Sequence, residues 1–200
     1  QLKSLIEYAF NHNIYDLNFI DTSEITNMSW LFEYISCNFD ISNWDVSNVT
    51  NMSAMFYCCW NFNCDLSNWN VSNMTNMHAL FCECNKFTGK GLEHWDVSNA
   101  TNMAGMFVGC ENFNCDLSYW DVSNVTDMDN MFVNCKKFNC NLSYWDVSNV
   151  TDMDNMFVNC KKFNYDLSDW DISNIKRWKN MFGGCDKMTI PNWYKLYHRK

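Results

Sequence analysis

The chain has 200 residues, a formal net charge of −9 and a pI near 4.7. That length suffices for one ordinary domain with a sizeable core, and the acidity excludes an electrostatic grip on nucleic acid, which takes clustered Lys and Arg. One proline and six glycines exclude a fold whose corners depend on those residues, so Asn, Ser, Thr and Asp must turn the chain.

No apolar run is long enough to span a membrane as a helix, and Glu7, His12 and Asp16 interrupt the stretch where a signal peptide would be apolar. Leu2, Leu5, Ile6, Ala9 and Phe10 fall at i, i+3, i+4, i+7 and i+8. This spacing predicts an amphipathic helix over 2–12 within an N-terminal cap, residues 1–19.

From residue 20 to 190 a 25-residue unit dominates, and it predicts about seven stacked coils. Trp recurs at 44, 69, 95, 120, 145 and 170, Cys at 59, 84, 110, 135, 160 and 185, and Phe at 56, 81, 107, 132, 157 and 182. The segment Trp120 to Asn139 returns unchanged as Trp145 to Asn164, the mark of duplication. A weaker first coil runs from Ile20 to Asn43, and the third, Trp69 to His94, carries one extra residue near Gly89, Lys90 and Gly91. Pro191 ends the pattern, and residues 191–200 form a C-terminal cap or a truncated continuation in which Trp193, Tyr194 and Tyr197 close the core.

Each coil reads in two halves. In Leu117–Ser123 the large Trp120 and Val122 alternate with polar residues, the period of a half-buried strand. Val125, Met128, Met131, Phe132 and Cys135 then recur at helical spacing, with Thr126 and Asp129 as a capping pair. The expected fold class is therefore an α/β repeat solenoid with one short parallel strand and one short helix in each coil. No coil of this kind buries its apolar face alone, but stacked coils share one core.

The strings Trp120-Asp121-Val122-Ser123-Asn124-Val125-Thr126, Met131-Phe132, Cys135 and Phe138-Asn139, with Asp-Leu-Ser before the next Trp, closely resemble the BspA-like leucine-rich-repeat proteins and their DUF285 repeat, over roughly residues 20 to 188. The resemblance implies a leucine-rich-repeat-like solenoid. It also implies the setting of that family: bacterial surface proteins and lipoproteins, protists and giant DNA viruses, with adhesion to host or matrix proteins where a role is known. Bacterial members mostly have a small residue such as Ala where this chain has its Cys column. The resemblance thus points to a cell-surface or secreted protein, whereas a column of reduced thiols points to an intracellular or virus-associated one.

Twelve cysteines at periodic rather than clustered positions suit buried apolar filler, with some disulfides or a metal as the alternatives. The Asp column, Asp21, Asp45, Asp96, Asp121, Asp146 and Asp171, is interrupted by Asn70. It suits exposed turn residues bonded to amides, with calcium as the alternative. The Asn column, Asn48, Asn73, Asn99, Asn124, Asn149 and Asn174, is expected to stack as a ladder on backbone groups. The histidines His12, His78, His94 and His198 share no motif, no serine sits in a nucleophile elbow, and neither a catalytic set nor a cofactor or metal site is expected.

If Trp and Val point inward, their strand neighbours point outward. The expected partner-binding face is then Asn43 and Asp45, Asn68 and Asn70, His94 and Asp96, Tyr119 and Asp121, Tyr144 and Asp146, and Asp169 and Asp171. An acidic, tyrosine-bearing face suits a basic protein partner. The functional expectation is a non-catalytic protein-binding or adhesion module, the alternative a structural protein that self-associates or decorates a larger particle.

Overall fold

The structure is a computed structural model and describes residues 1–197. His198, the rest of the 191–200 segment beyond Tyr197, and the part in core closure expected of the Tyr197 side chain lie outside the described residues. Helix α1 spans Leu2–Asn11 and α2 spans Asn192–Tyr197, with a single 3-10 turn at Leu92–His94 between them. Seven coils lie between the helices: coil 1 covers 20–43, coil 2 44–68, coil 3 69–94, coil 4 95–119, coil 5 120–144, coil 6 145–169 and coil 7 170–190.

The expected strand and helix of each coil do not form, and the α/β repeat solenoid is corrected accordingly. Among the described residues there is no strand and no sheet. Neighbouring coils are joined by isolated parallel bridges, Asn27 to Asn51 and onward through Asn76, Asn102, Asp127 and Asp152 to Arg177. The physical reason is where the amides go. Around Trp120 they close local turns, Trp120 N–H to the Leu117 carbonyl at 3.1 Å and Val125 N–H to that of Val122 at 2.9 Å. Ser123 N–H is taken by the Asp121 carboxylate at 3.0 Å. A strand ladder would need those donors.

The helical stripe fails for a related reason. Val125, Met128, Met131, Phe132 and Cys135 are all fully buried, so the apolar spacing does report an inward face. Asn130 and Asn134, however, adopt left-handed conformations, φ 57° and 62°, which a right-handed helix cannot absorb. Every second amide leaves the coil: Met128, Asn130, Phe132 and Asn134 donate to Asp152, Asp154, Met156 and Val158 of coil 6 at 2.8–2.9 Å. The amides of Met131, Val133 and Cys135 close four-residue turns onto Met128, Asn130 and Phe132. Thr126 does not cap a helix; its hydroxyl and amide both donate to the Thr101 carbonyl one coil back. In the wall from Met128 to Asn134 every rung has the same sense, N–H toward the following coil and C=O toward the preceding one, whereas the Thr126 rung beside it runs the opposite way.

The corners are made by side chains. The Asp116, Asp121 and Asp127 carboxylates each accept the amide two residues on at 3.0 Å. The same three corners recur through the stack, for example at Asp40, Asp45 and Asn51. These Asx turns explain how the coils bend with so little glycine and proline. Glycine is indispensable at Gly91, which absorbs the extra residue of coil 3 at φ 95°; a Cβ there would run into the main chain of Leu66 and Ser67.

Inside, two phenylalanines in each of coils 1 to 6 stack on each other and on neighbouring coils, and coil 7 adds Phe182. Phe56 lies 4.2 Å from Phe62 and 5.4 Å from Phe81, ring centroid to centroid and nearly parallel. α1 covers one end of this core with buried Ile6 and Ala9 and with Phe10, 5.6 Å from Phe39. α2 covers the other, with Trp193 and Tyr194 against Phe182.

Candidate functional site

All twelve residues of the expected partner face are exposed: Asn43, Asp45, Asn68, Asn70, His94, Asp96, Tyr119, Asp121, Tyr144, Asp146, Asp169 and Asp171. They stand out from turns rather than from a strand. The Trp between each pair is buried with its indole N–H on a carbonyl 27 to 29 positions back, as in Trp145 to Leu117 at 2.9 Å. The Asn column lies beside it, each amide donating to a serine carbonyl one coil back, such as Asn124 to Ser98 at 2.8 Å. Both ladders fix the register in which the face is presented.

Four carboxylates of the face are held ionised by their own turns. The hydroxyl and then the amide of the serine two residues on keep Asp45, Asp96 and Asp146 below the usual carboxylate range, and for Asp171 the Ser173 amide comes first. Their negative charge is therefore permanent near neutral pH, but one oxygen of each is already engaged by the chain.

Tyr119 and Tyr144 differ from the rest of the row. They are 89 % and 84 % exposed, in adjacent coils. Beside them runs an open groove of about 560 Å³, floored by Asn114, Asp116, Asn139 and Asn141, with Cys115 and Cys140 beneath and Tyr165 at one end. Asn114 Oδ1 accepts the Asn139 amide at 2.9 Å, and Asn139 does the same for Asn164 at 3.2 Å, so the floor is a rigid rail. Asp116 is held low by Ser118 and Cys140. Reading alternation outward from Trp missed this groove, whose floor lies in the corner before each Trp. The one sequence signal there was the change from Cys140 to Tyr165, the first difference after the identical segments that begin at Trp120 and Trp145.

All twelve cysteines are free. Each thiol of the main column donates to a phenylalanine carbonyl of the preceding coil, as in Cys110 to Phe81 at 3.0 Å and Cys135 to Phe107 at 3.0 Å. Burial pushes Cys59 up to about 12 and Cys84, Cys110, Cys135 and Cys160 well above the usual thiol range. Among the described residues no group of three or more His, Cys, Asp or Glu is placed to hold a metal ion, and no helix is long and apolar enough to cross a membrane.

A family model described as a Mycoplasma protein of unknown function, DUF285, matches residues 1–91 and 75–193. The chain belongs to the DUF285 family. No curated protein matches it. No solved structure matches it. In this DUF285 chain every repeated position has a physical role. The Trp and Cys reach back to main-chain carbonyls, the Asp and Asn turn the corners, and the residue before each Trp projects into solvent.

Proposed function

We propose that this DUF285 chain is a non-catalytic protein-binding module of the adhesion type, working through the face that carries Tyr119 and Tyr144. The carrying observation is that pair: two almost fully exposed tyrosines on adjacent coils, flanking a polar groove on a hydrogen-bonded frame. Tyrosine supplies large contact area at little entropic cost, and the permanently ionised aspartates favour a basic protein as partner. Resemblance to BspA-like leucine-rich-repeat surface proteins supports the same reading. A non-catalytic role fits the thiols, whose nucleophilic form is suppressed by burial.

The test is surface-immobilised binding of a panel of basic and acidic extracellular proteins to the wild-type chain and to Tyr119→Ala/Tyr144→Ala. Saturable binding to a basic member, lost in the double variant at unchanged melting temperature, supports the proposal. Binding that ignores both tyrosines, or no binding across the panel, overturns it. The second reading, a structural or assembly protein, has in its favour the unpaired main-chain groups at the two ends of the stack.

A further inference from the structure

The rungs formed by Met28, Trp30, Phe32, Tyr34 and their counterparts keep one sense from coil 1 to coil 7, with the neighbouring Thr50-to-Lys176 rungs reversed, and among the described residues both ends of this wall lack main-chain partners. Asn155, Phe157 and Asn159 donate to Lys179, Met181 and Gly183 of coil 7. The equivalent donors one coil on are the N–H groups of Asn180, Phe182 and Gly184. Coil 7 is followed by α2, whose main chain supplies them no acceptor among the described residues. At the other end, Asn51, Ser53, Met55 and Tyr57 accept from Met28, Trp30, Phe32 and Tyr34. The equivalent acceptors of coil 1, the carbonyls of Asn27, Ser29, Leu31 and Glu33, receive nothing from α1. Donors at one end and acceptors at the other share the same two-residue spacing, because both belong to the same repeated wall.

Side-chain charge follows the same polarity. Glu24 and Glu33 stand at the carbonyl end and Lys176 and Lys179 at the N–H end, and none of the four is in an ion pair among the described residues. Aligned peptide groups leave partial positive charge at an N–H end and partial negative charge at a carbonyl end, and helices offset this with side chains of opposite sign. Here the side chains reinforce it, which disfavours an isolated stack and complements the opposite end of another. Open edges of this kind are templates for pairing. Asn27, Trp30 and Tyr34 on one edge, and Lys179, Asn180 and Gly184 on the other, are exposed.

We propose that these two edges bind one another in trans, so that a second copy of this chain docks its coil 1 on the coil 7 of the copy before it and continues the hydrogen-bonded wall. α1 and α2 cover the phenylalanine side of each end, so the joint runs along the wall and consecutive copies meet at an angle. The contact is heterologous, and a heterologous contact that does not close into a ring grows.

Sedimentation of the full 200-residue chain over a range of concentrations tests this, together with amide exchange. The mean mass should rise with concentration without levelling at a dimer, while exchange at Asn180, Phe182 and Gly184 slows and exchange at Asn155 does not change. Glu24→Lys/Glu33→Lys gives a copy with two positive ends, and Lys176→Glu/Lys179→Glu one with two negative ends. Each alone should associate about tenfold or more weakly than wild type, and an equimolar mixture should recover association. A chain that stays monomeric throughout, growth that stops at a closed dimer, or charge-reversed variants that associate like wild type would each overturn the proposal.

Discussion

The indole Nε1 of Trp120 donates to the main-chain carbonyl of Leu92 at 2.8 Å, joining residues 28 positions apart. The same bond recurs from Trp44 to Trp193, so the tryptophans both fill space and tie coil to coil. Trp120→Phe keeps most of the apolar volume but removes one of the two hydrogen bonds to the Leu92 carbonyl, which still accepts the Trp95 N–H at 3.1 Å. The expected cost is roughly 0.5–1.5 kcal/mol, read as a fall in melting temperature of about 2–4 °C per kcal/mol. An unchanged transition would show that this ladder adds nothing to packing.

Cys58 sits in a left-handed conformation, φ 58°, in the column that holds Gly109, Asn134, Asn159 and Gly184 in other coils. Side chains other than Asn and Gly are strained there by about 1–2 kcal/mol. Cys58→Asn should therefore stabilise the fold by about 1 kcal/mol, whereas Cys58→Val, with branching at Cβ, should destabilise it by at least as much. Paired denaturant titrations of the two variants give opposite shifts of midpoint if backbone conformation governs the site.

Thiol chemistry should be slow in the folded chain. Cys84, Cys110 and Cys135 are fully buried, with thiols far above the usual range because burial penalises the thiolate. A thiol-reactive dye is expected to modify them only after denaturation, while the partly exposed Cys37 and Cys58 react first. Prompt labelling of Cys110 in the native chain would contradict the packing of the coils.

Acid should act in two opposite directions. Burial, with the neighbouring Asp127, Asp152 and Asp154 charges, raises Asp129 above 3.8, and burial raises Asp152 despite its 2.9 Å pair with Arg177. Asp129 Oδ1 also lacks any hydrogen-bond partner. A raised folded-state carboxyl favours the native state at low pH, and that contribution is lost as pH climbs through the raised value. Asp65, held at about 2 by Lys90 and Ser67, works the other way, its contribution present above 3.8 and lost as pH falls toward 2. Stability should thus rise modestly as pH is lowered from neutral and then fall below about 4. Asp129→Asn should raise the melting temperature at pH 7 and leave it nearly unchanged at pH 4. A wild-type curve that falls steadily from pH 7 downward would contradict this assignment.

The buried columns were legible in the sequence because burial follows spacing. Trp120, Val122, Met128, Phe132 and Cys135 recur every 25 residues and all lie inside. What spacing could not tell was the backbone that carries them. A two-residue alternation arises from an Asx turn at Asp121 as readily as from a strand, and a stripe at three and four arises from linked turns as readily as from a helix. The discriminating signal was present but quiet: Asn130 and Asn134 align with Gly105 and Gly109, and Gly and Asn are the residues that tolerate positive φ. The exposed row was legible by the same alternation, but its groove was not, because the floor comes from corners outside that alternation.

Because hydrogen bonds, ring contacts and turns tie a residue to its own turn or to residues about one repeat away, the architecture sets no preferred length. A whole coil can be gained or removed and its neighbours re-seal on equivalent surfaces, as the unchanged segments beginning at Trp120 and Trp145 attest. A single inserted residue is different, since it must be swallowed at a corner, and at Gly91 only a residue without a side chain could do so. Genetic change in such a chain is therefore quantised: units of 25 residues pass freely, and smaller steps survive only at the bends.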